Sequence, residues 1–332
     1  MARAWNLKSR PDGLPTAENF ELKTLDLPKL EDGQLRVRNQ WLSVDPYMRG
    51  RMNDVKSYVP PFALDAPMEG GAIGEVVEAT ADGFKKGDLV LHMGGWRDEA
   101  VVAARTAIKL PDLGADPQQF LGVLGVTGAT AYFGLLDAAS AKKGDVVFVS
   151  AAGGAVGSAV LQIAKAKGMT VIGSAGGKAK CDLVRALGAD AVVDYRAEPV
   201  VRGLAQAVKQ LGVEGIDVYF DNVGGDHLDA AFALARQNAR FAICGMIEGY
   251  NKAAPATFRY IMRVIGARIR LQGFIVFDYQ PRMDEFYAAM GPLLKSGKVK
   301  AEETVVDGLE AMPDAFLGLF KGANTGKMLV RL

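Results

Sequence analysis

Residues 145–157 read DVVFVSAAGGAVG, and this stretch decides the fold of the chain. An apolar run leads straight into a glycine-rich turn, and residues 158–164, SAVLQIA, continue with the pattern of an amphipathic helix. A strand, a glycine-rich turn and a helix in this order form the context in which such turns hold the phosphates of a dinucleotide. We therefore expect a dinucleotide-binding βα unit here.

The two glycines at the end of the turn have separate predicted roles. Gly154 lets backbone amides approach a pyrophosphate, and Gly157 lets the helix pack closely on the strand. The helix N-terminus adds partial positive charge. The alternative is a turn whose glycines only relieve steric crowding, but the flanking strand and helix favour phosphate binding.

The region around this unit alternates between short apolar strands and helical segments. Such alternation is typical of parallel βαβ units whose sheet is covered on both faces. The sequence predicts an α/β fold with a six-stranded, doubly wound (Rossmann) parallel sheet, which is the sheet of dinucleotide-binding domains. Its strands are expected near residues 145–150, 169–173, 190–193, 216–221, 239–244 and 270–276.

The first part of the chain has a different texture. Short alternating runs, such as 35–41 and 72–78, are separated by turn residues and show little helical periodicity. They predict a compact β domain or barrel over residues 1–122, followed by the dinucleotide-binding domain over residues 123–300. Residues 301–332 contain an apolar helix pattern and a last strand, which we expect to return to the β domain.

Length and composition narrow the classes of partner. The chain has 332 residues, enough for about two domains, and its 39 Lys and Arg balance 38 Asp and Glu without a basic stripe, so nucleic acid is a poor candidate. The N-terminal residues lack an apolar leader pattern and no run reaches membrane-spanning length, so we expect a cytoplasmic protein with no membrane partner. Cys181 and Cys244 are expected to be buried or inert thiols.

The end of the second predicted strand determines which nicotinamide cofactor is preferred. An acidic side chain about 20 residues beyond the glycine-rich turn would accept the ribose hydroxyls of NAD. Residues 171–177, VIGSAGG, carry no carboxylate, and Lys178 and Lys180 follow. Because a cationic side chain favours a 2′-phosphate, NADPH is the expected cofactor. The alternative is that these lysines, Lys178 more than Lys180, form only a solvated first helical turn.

A zinc site built from Cys and His is not expected. The first 150 residues contain no cysteine and one histidine, His92. We interpret His92 on its apolar strand and His227 at the start of a helix as satisfied structural histidines. Without a Lewis acid, developing oxyanion charge must be met by hydroxyl or amide donors. Hydride addition to an activated C=C bond suits such donors because the charge spreads over an enolate, and quinone reduction suits them nearly as well.

Five further strings occur together, in an order typical of one family. They are LSVDPYMR (42–49), GATAYFG (128–134), DNVGG (221–225), ICGMI (243–247) with Tyr250 and Asn251, and GFIV (273–276). Over almost the whole chain they resemble the zinc-less medium-chain dehydrogenase/reductases, in the branch of prostaglandin reductases, plant alkenal double-bond reductases and bacterial curcumin reductase. The resemblance implies a GroES-like β-barrel domain, an active site in the cleft between the domains and a homodimer.

The resemblance also implies which residues bind NADPH. Residues 154–157 hold the pyrophosphate, while Lys180 and Tyr195 approach the 2′-phosphate and adenosine side. Segments 244–250 and 274–276 flank the nicotinamide. The full expected set is Thr130, Gly154, Ala155, Val156, Gly157, Ser174, Lys180, Tyr195, Asn222, Cys244, Gly245, Met246, Ile247, Tyr250, Phe274, Ile275, Val276 and Asn324.

Two tyrosines are the expected catalytic residues. Tyr250 matches the family residue that lines the nicotinamide and hydrogen-bonds the substrate carbonyl, where a phenol stabilises an enolate and can relay a proton. The alternative for Tyr250 is a purely packing role against the cofactor. Tyr47 is implied on the β-domain side of the cleft, with a structural aromatic role as its alternative, and Arg49 is interpreted as structural.

The activity implied by the resemblance is NADPH-dependent transfer of hydride to the C=C bond of α,β-unsaturated aldehydes or ketones, without a metal. An NADPH:quinone oxidoreductase and a non-catalytic NADPH-binding regulatory protein are the alternatives. The loop at residues 93–99 looks shorter than in mammalian members of the family. Because such a loop can shape the substrate pocket, a prostaglandin substrate is not carried over.

Overall fold

The computed structural model describes residues 1–252 and 254–332. Within them the chain divides into two compact units, one made of Met1–Leu121 and Glu303–Leu332 and the other of Gly122–Glu302. Among the described residues, no helix combines the length and the hydropathy needed to cross a bilayer.

Strands dominate the first unit, whereas strands and helices alternate in the second. The strands are β1 (Ala2–Leu7), β2 (Phe20–Leu25), β3 (Gln34–Ser43), β4 (Ala72–Ala79), β5 (Leu89–His92), β6 (Glu99–Ala103), β7 (Ile108–Lys109), β8 (Val146–Val149), β9 (Thr170–Ala175), β10 (Ala191–Asp194), β11 (Ile216–Asp221), β12 (Ala235–Ile243), β13 (Arg270–Gly273), β14 (Glu303–Asp307) and β15 (Lys327–Arg331). The helices are α1 (Met48–Arg51), α2 (Val126–Phe133), α3 (Ala155–Ala166), α4 (Lys178–Ala186), α5 (Val200–Gln210), α6 (Gly225–Leu234), α7 (Arg263–Gly266), α8 (Met283–Lys295) and α9 (Met312–Lys321).

The second unit is built on a six-stranded sheet of order β10-β9-β8-β11-β12-β13, in which every pairing is parallel. This confirms the predicted doubly wound sheet. All four residues of β8 are buried, as expected for a central strand with both faces covered. The strand order reverses between β8 and β11, so the crevice that binds ligands in such sheets lies at the carboxyl ends of these two strands.

Two strands differ from their predicted bounds by three residues or more. β12 begins at Ala235, earlier than expected, because Ala235 pairs with Ile216 ahead of a register shift. β13 ends at Gly273, which pairs with Ile243 at the end of the ladder. The chain then leaves the sheet, and the ring of Phe274 packs edge-on against Phe220 at a centroid distance of 6.2 Å. Residues 274 and 275 are therefore loop, and Val276 begins a 3-10 helix, Val276–Arg282, so none of the three is strand.

The first unit contains a seven-stranded sheet and a separate β1-β2 pair. The larger sheet has the order β14-β15-β3-β4-β5-β7, with β6 also paired to β3. β15 runs antiparallel to β3 and parallel to β14, so the C-terminal tail completes the N-terminal sheet. The expected fold class, an α/β dinucleotide-binding sheet with a separate β domain, is confirmed.

The core of the first unit is centred on Trp96. Its ring is fully buried, stacks on Phe20 at 5.6 Å and meets Phe316 of α9 edge-on at 5.8 Å. The indole N–H points to the sulfur of Met48 at 3.3 Å. The loop at residues 93–99 therefore buries its central side chain in the core of the unit.

Candidate active site

Most of the expected cofactor-binding residues lie at one edge of the six-stranded sheet. Strands that run parallel end at the same edge, and each of the six strands is followed there by an expected segment. Thr130 lies in α2, while Tyr47 and Asn324 belong to the first unit. The segments at the edge are residues 154–157 after β8, Ser174 near the end of β9 with Lys180 in α4, Tyr195 after β10, Asn222 after β11, 244–250 after β12 and 274–276 after β13.

The turn after β8 brings a helix N-terminus close to the strand end. Ala151 has a positive φ of 49°, an uncommon conformation for a residue with a side chain, and Gly154 is the N-cap of α3. A Cβ added to Gly157 would overlap the carbonyl oxygen of Ala151. The first amides of a helix have no acceptor within it, and no carboxylate occupies the first turn of α3. This cradle fits a pyrophosphate.

A hydrogen-bonded bridge joins the ends of β8 and β11 beside this turn. The Oγ of Ser150 accepts the backbone N–H of Asn222 at 2.8 Å. The side-chain amide of Asn222 in turn donates to the carbonyl oxygen of Ser150 at 2.8 Å. Asn222 is thereby held at the point where the strand order reverses, which is where the resemblance expects it along the cofactor.

Asp221 holds this bridge in place, although the sequence patterns assigned it no role: its Oδ1 accepts the hydroxyl of Ser150 at 3.4 Å. Its Oδ1 accepts hydrogen bonds from the hydroxyl of Tyr219 at 2.7 Å and from the amides of Val223 and Gly224 at 2.9 and 2.7 Å. Its backbone oxygen accepts the amides of Cys244 and Gly245, both at 3.0 Å. Full burial raises the pKa of the carboxyl group. One aspartate therefore ties the loops after β11 and β12 together.

The segment after β12 carries the first expected catalytic residue. The hydroxyl of Tyr250 lies close to the backbone of Gly245: a Cβ added to this glycine would be 3.0 Å from the hydroxyl oxygen.

The two cysteines are unreactive in this environment. Burial raises the pKa of the half-buried Cys244 thiol to about 12. Cys181 is buried, and burial raises its pKa too. Both cysteines are free thiols that stay protonated near neutral pH, as expected.

The two lysines that follow the turn after β9, Lys178 and Lys180, have different environments. Lys178 is 90% exposed and pairs with Asp182 at 2.5 Å. Lys180 is half-buried, and its pKa is lowered, first by burial and then by the charge of Arg196. Ser174 is fully buried, and its Oγ has no hydrogen-bond partner among the described residues. A cation and an unpartnered hydroxyl at this turn fit a phosphorylated ribose.

Arg196, next to Tyr195, is a cation of this turn that the sequence patterns did not single out. A Cβ added to Gly176 would be 2.5 Å from the Tyr195 hydroxyl and 3.0 Å from Nε of Arg196. Both side chains therefore lie over Gly176, the first of the two glycines that precede α4. The available signal was the position of Arg196 directly after β10, the strand adjacent to β9.

The loop after β13 is held by the motif at residues 128–134. A Cβ added to Gly134 would overlap the ring of Phe274 and would also meet Phe220. Gly134 opens a π-helical turn, Gly134–Ala138, that extends α2. The glycine is thus required for Phe274 to dock, which explains its place in the motif. Thr130, one turn earlier, donates its hydroxyl to the carbonyl oxygen of Val126 at 2.6 Å.

Tyr47 and Asn324 are described within the first unit only. Tyr47 is the N-cap of α1, and burial, followed by the charge of Asp45, raises the pKa of its phenol, which stays protonated. The buried Lys327 donates to Asp45 and to the carbonyl oxygen of Val44, both at 2.8 Å. The side-chain amide of Asn324 donates to the carbonyl oxygen of Gly326 at 2.7 Å. Their roles toward cofactor and substrate stay predictions.

The two histidines are buried, and among the residues that the structure describes only His92 forms a side-chain hydrogen bond. Nδ1 of His92 accepts the amide of Gly94 at 3.0 Å, while its Nε2 has no partner among the described residues. Neither ring nitrogen of His227 has a hydrogen-bond partner in the described part of the chain, so the expectation that this histidine is satisfied is wrong. Its ring packs against those of Tyr195 and Phe148, at centroid distances of 5.3 and 6.5 Å, and among the described residues no polar atom forms a hydrogen bond with either ring nitrogen. Burial lowers the pKa of both histidines to about 4.

Within residues 1–252 and 254–332, no group of three or more His, Cys, Asp or Glu side chains is arranged to hold a metal ion.

Two family models match the chain. One, described as the N-terminal domain of oxidoreductase, covers residues 3–110, and the other, described as zinc-binding dehydrogenase, covers residues 155–295.

Full-length relatives are similar in sequence and in structure. The chain is 42% identical to the NADPH-dependent curcumin reductase of Escherichia coli, covering 99% of this chain and 96% of that protein. It is 40% identical to the NADP(+)-dependent 2-alkenal reductase of Nicotiana tabacum, covering 98% and 95%. The crystal structure of CurA from Vibrio vulnificus in complex with NADPH is 43% identical, with a TM-score of 0.91 over 99% of this chain and 98% of that one.

Proposed function

Because this chain belongs to the medium-chain dehydrogenase/reductase family, in the branch of curcumin reductases, alkenal double-bond reductases and prostaglandin reductases, we propose that it is an NADPH-dependent reductase of activated C=C bonds. Its substrates are α,β-unsaturated aldehydes or ketones. Hydride goes to the β carbon of the substrate and a proton to the α carbon, which leaves the saturated aldehyde or ketone.

The observation that carries this proposal is the turn after β9. Lys180 and Arg196 meet there, and among the described residues no carboxylate lies within ion-pair distance of either side chain. Such a turn favours a 2′-phosphate over a free ribose hydroxyl. The acceptor class is supported by the full-length similarity to a curcumin reductase and a 2-alkenal reductase.

NADPH, when bound along this edge of the sheet, supplies the hydride. The chain itself supplies orientation and a hydrogen-bond donor. Asn222 is fixed by Ser150 at the carboxyl end of β11, and Asp221 fixes the loop that leads to Tyr250. A phenol hydroxyl that donates a hydrogen bond to the substrate carbonyl stabilises the negative charge that develops on the enolate oxygen. We assign this role to Tyr250, with Tyr47 as a second neutral phenol for the substrate.

A panel of acceptors tests the reaction class. We expect enals, enones and curcumin-like dienones to oxidise NADPH, followed as the loss of its absorbance, and saturated alcohols with NADP to give no rate. Turnover of simple quinones with no turnover of enals or enones would replace the proposal with quinone reduction. Tight NADPH binding without turnover of any acceptor would indicate a non-catalytic NADPH-binding protein.

Substitution of the Tyr250 hydroxyl tests the mechanism. Loss of a single oxyanion donor costs about 100-fold in kcat, so Tyr250→Phe is expected to lose about that much while the Kd for NADPH stays within about twofold. Tyr260→Phe, a change at a partly exposed tyrosine outside the expected site, serves as the control. Unchanged kcat in Tyr250→Phe would remove this hydroxyl from the mechanism.

We also propose that the protein acts as a homodimer in the cytoplasm. Support for self-association is the exposure of Met262 and Ile265, each 71% exposed, in the segment that precedes the edge strand β13. The two free cysteines suit a reducing compartment. Sedimentation equilibrium tests the dimer, and a monomer at all micromolar concentrations would contradict it.

A further inference from the structure

We propose that Arg196 is a second cationic contact for the 2′-phosphate of NADPH, opposite Lys180, and that it determines the preference for NADPH over NADH. This inference rests on the proposed NADPH-dependent function and deepens it by assigning a specificity-determining residue. Arg196 is not among the cofactor residues expected from the sequence. Its position in the fold, its charge environment and its distance from the glycines before α4 carry the proposal.

The pairing of β9 with β10 places Arg196 beside the turn that follows β9. Ala175 at the end of β9 is opposite Asp194 at the end of β10. The residues that follow the two strands, Gly176-Gly177 and Tyr195-Arg196, therefore leave the sheet side by side. A Cβ added to Gly177 would be 3.7 Å from an Nη atom of Arg196. The guanidinium thus lies across the glycines that lead into α4.

Two positive charges, those of Lys180 and Arg196, lie close together at this turn. Arg196 is near enough to contribute to the lowered pKa of Lys180, which lies in the first turn of α4. Like charges repel, and the helix N-terminus adds further positive potential. Among the described residues, neither side chain has a carboxylate within ion-pair distance.

Two acidic side chains of this region, Asp194 and Asp182, accept other donors. The carboxylate of Asp194 accepts the amides of Gly177 and Arg196, at 2.9 and 3.0 Å, which fixes the turn. Asp182 pairs with Lys178 and Arg185. The positive charge of Lys180 and Arg196 is thus left for an anion from outside the chain. The Oγ of Ser174 is fully buried near the end of β9 and has no hydrogen-bond partner among the described residues, which is an independent sign of a polar ligand.

A 2′-phosphate matches this arrangement in charge and geometry. It carries a charge of about −1.5 to −2 near neutral pH and three acceptor oxygens. A planar guanidinium can donate two parallel hydrogen bonds to such a group, whereas the ammonium acts as a point charge. The free 2′-hydroxyl of NADH cannot neutralise either cation, so removal of Arg196 is expected to affect NADPH alone.

Calorimetric titration with NADPH and with NADH tests the assignment in Arg196→Gln. A hydrogen bond to a charged group corresponds to about a tenfold or larger change in affinity, so Kd for NADPH should rise by at least about tenfold. Kd for NADH should stay within about twofold, and Arg196→Lys should recover part of the loss. Arg202→Gln is the matched control, because this arginine in α5 is 72% exposed and lies 3.6 Å from Glu198. It should leave both Kd values unchanged.

Phosphorus NMR of bound NADPH gives a readout that a merely structural role would not move. Two adjacent cations should hold the pKa of the bound 2′-phosphate below its ordinary value of about 6, and Arg196→Gln should raise it. The thermal stability of the variant without cofactor should not fall, since Arg196 forms no ion pair among the described residues.

The outcomes separate this inference from the proposed function. If Arg196→Gln keeps the full preference for NADPH and leaves the phosphate pKa unchanged, Arg196 is not a contact and the inference fails. Equal weakening of NADPH and NADH would also overturn it, because the effect would then be structural. If the unsubstituted chain binds NADH as tightly as NADPH, the proposed function itself fails.

Discussion

At the end of β11, the buried carboxylate of Asp221 accepts four donors at once: the hydroxyls of Tyr219 and Ser150 and the amides of Val223 and Gly224. Removal of Asp221 would leave the hydroxyl of Tyr219 and the amides of Val223 and Gly224 without their acceptor in the interior. A buried donor without a partner costs about 1–3 kcal/mol. The carboxylate is therefore a positioning group for the loops on either side of the point where the strand order reverses.

We predict that Asp221→Ala lowers the free energy of unfolding by about 3 kcal/mol or more and weakens NADPH binding. Asp221→Asn keeps one carbonyl oxygen and should lose less. The exposed Asp226, in the first turn of α6, provides the control, and Asp226→Ala should cost at most about 1 kcal/mol. Denaturant unfolding measures each value, and equal losses at the two positions would contradict this role.

The buried histidines predict a pH dependence of stability. Burial lowers the pKa of His92 and His227 to about 4, from an ordinary value of 6.5. Between these values the unfolded chain binds more protons than the folded one, so stability is lost as pH falls from about 6.5 to about 4. The free energy of unfolding should be lower at about pH 5 than at about pH 7, by about 2 kcal/mol for each histidine.

Chemical denaturation at the two pH values measures this loss. His227→Phe keeps an aromatic ring beside those of Tyr195 and Phe148 and should remove about half of the pH-dependent loss. A stability that does not change over this interval would show that the histidines titrate normally in the folded chain.

At the scale of elements, the contact between the turn after β8 and the start of α3 leaves no room for a side chain. A Cβ at Gly157 would overlap the carbonyl oxygen of Ala151, which is backbone and cannot swing away. Overpacking of this kind costs about 1–3 kcal/mol. The helix would have to move off the strand end, taking its first amides with it.

We predict that Gly157→Ala lowers the free energy of unfolding by about 2 kcal/mol and raises Kd for NADPH at least about tenfold. Gly50→Ala is the control, because a Cβ at this exposed position in α1 meets nothing within 4 Å and alanine favours helix by about 1 kcal/mol. Thermal unfolding and calorimetry report both effects. Normal NADPH affinity in Gly157→Ala would mean that the cofactor does not use this helix end.

The same elements mark what the sequence could predict and what it could not. The six apolar strands and the glycine-rich turn could be recognised because each is a local pattern, and Gly157 performs the steric role that its position predicts. The sequence favoured Lys180 over Lys178 as the phosphate contact but could not exclude that both are solvated. The difference between them depends on burial and on Arg196, which is distant in sequence and lies at this turn only because β9 pairs with β10.

The role of Asp221 could not be predicted from the sequence for a related reason. Its sequence context, at the end of an apolar strand, suggested a motif, but the donors that it holds are revealed only by the folded turn and the neighbouring loop. His227 was wrongly expected to be satisfied, because its aromatic neighbours come from β8 and from the end of β10. Residues 274–276 continue an apolar run, yet the docking of Phe274 takes them out of the sheet.

At the scale of the whole molecule, one edge of the six-stranded sheet concentrates the groups that suit a phosphorylated dinucleotide. The helix end at Gly154 suits the pyrophosphate, and the cations after β9 and β10 suit the third phosphate. The loops after β11 and β12 are tied together through Asp221. All of these depend on parallel strands ending together, so the fold itself assembles the proposed site.

A crystal structure of the protein with NADPH tests this central claim most directly. The account predicts density for the pyrophosphate against the first turn of α3, at Gly154, and for the 2′-phosphate between Lys180 and Arg196. A dinucleotide bound away from the carboxyl edge of the sheet, or a 2′-phosphate directed into solvent away from both cations, would contradict it.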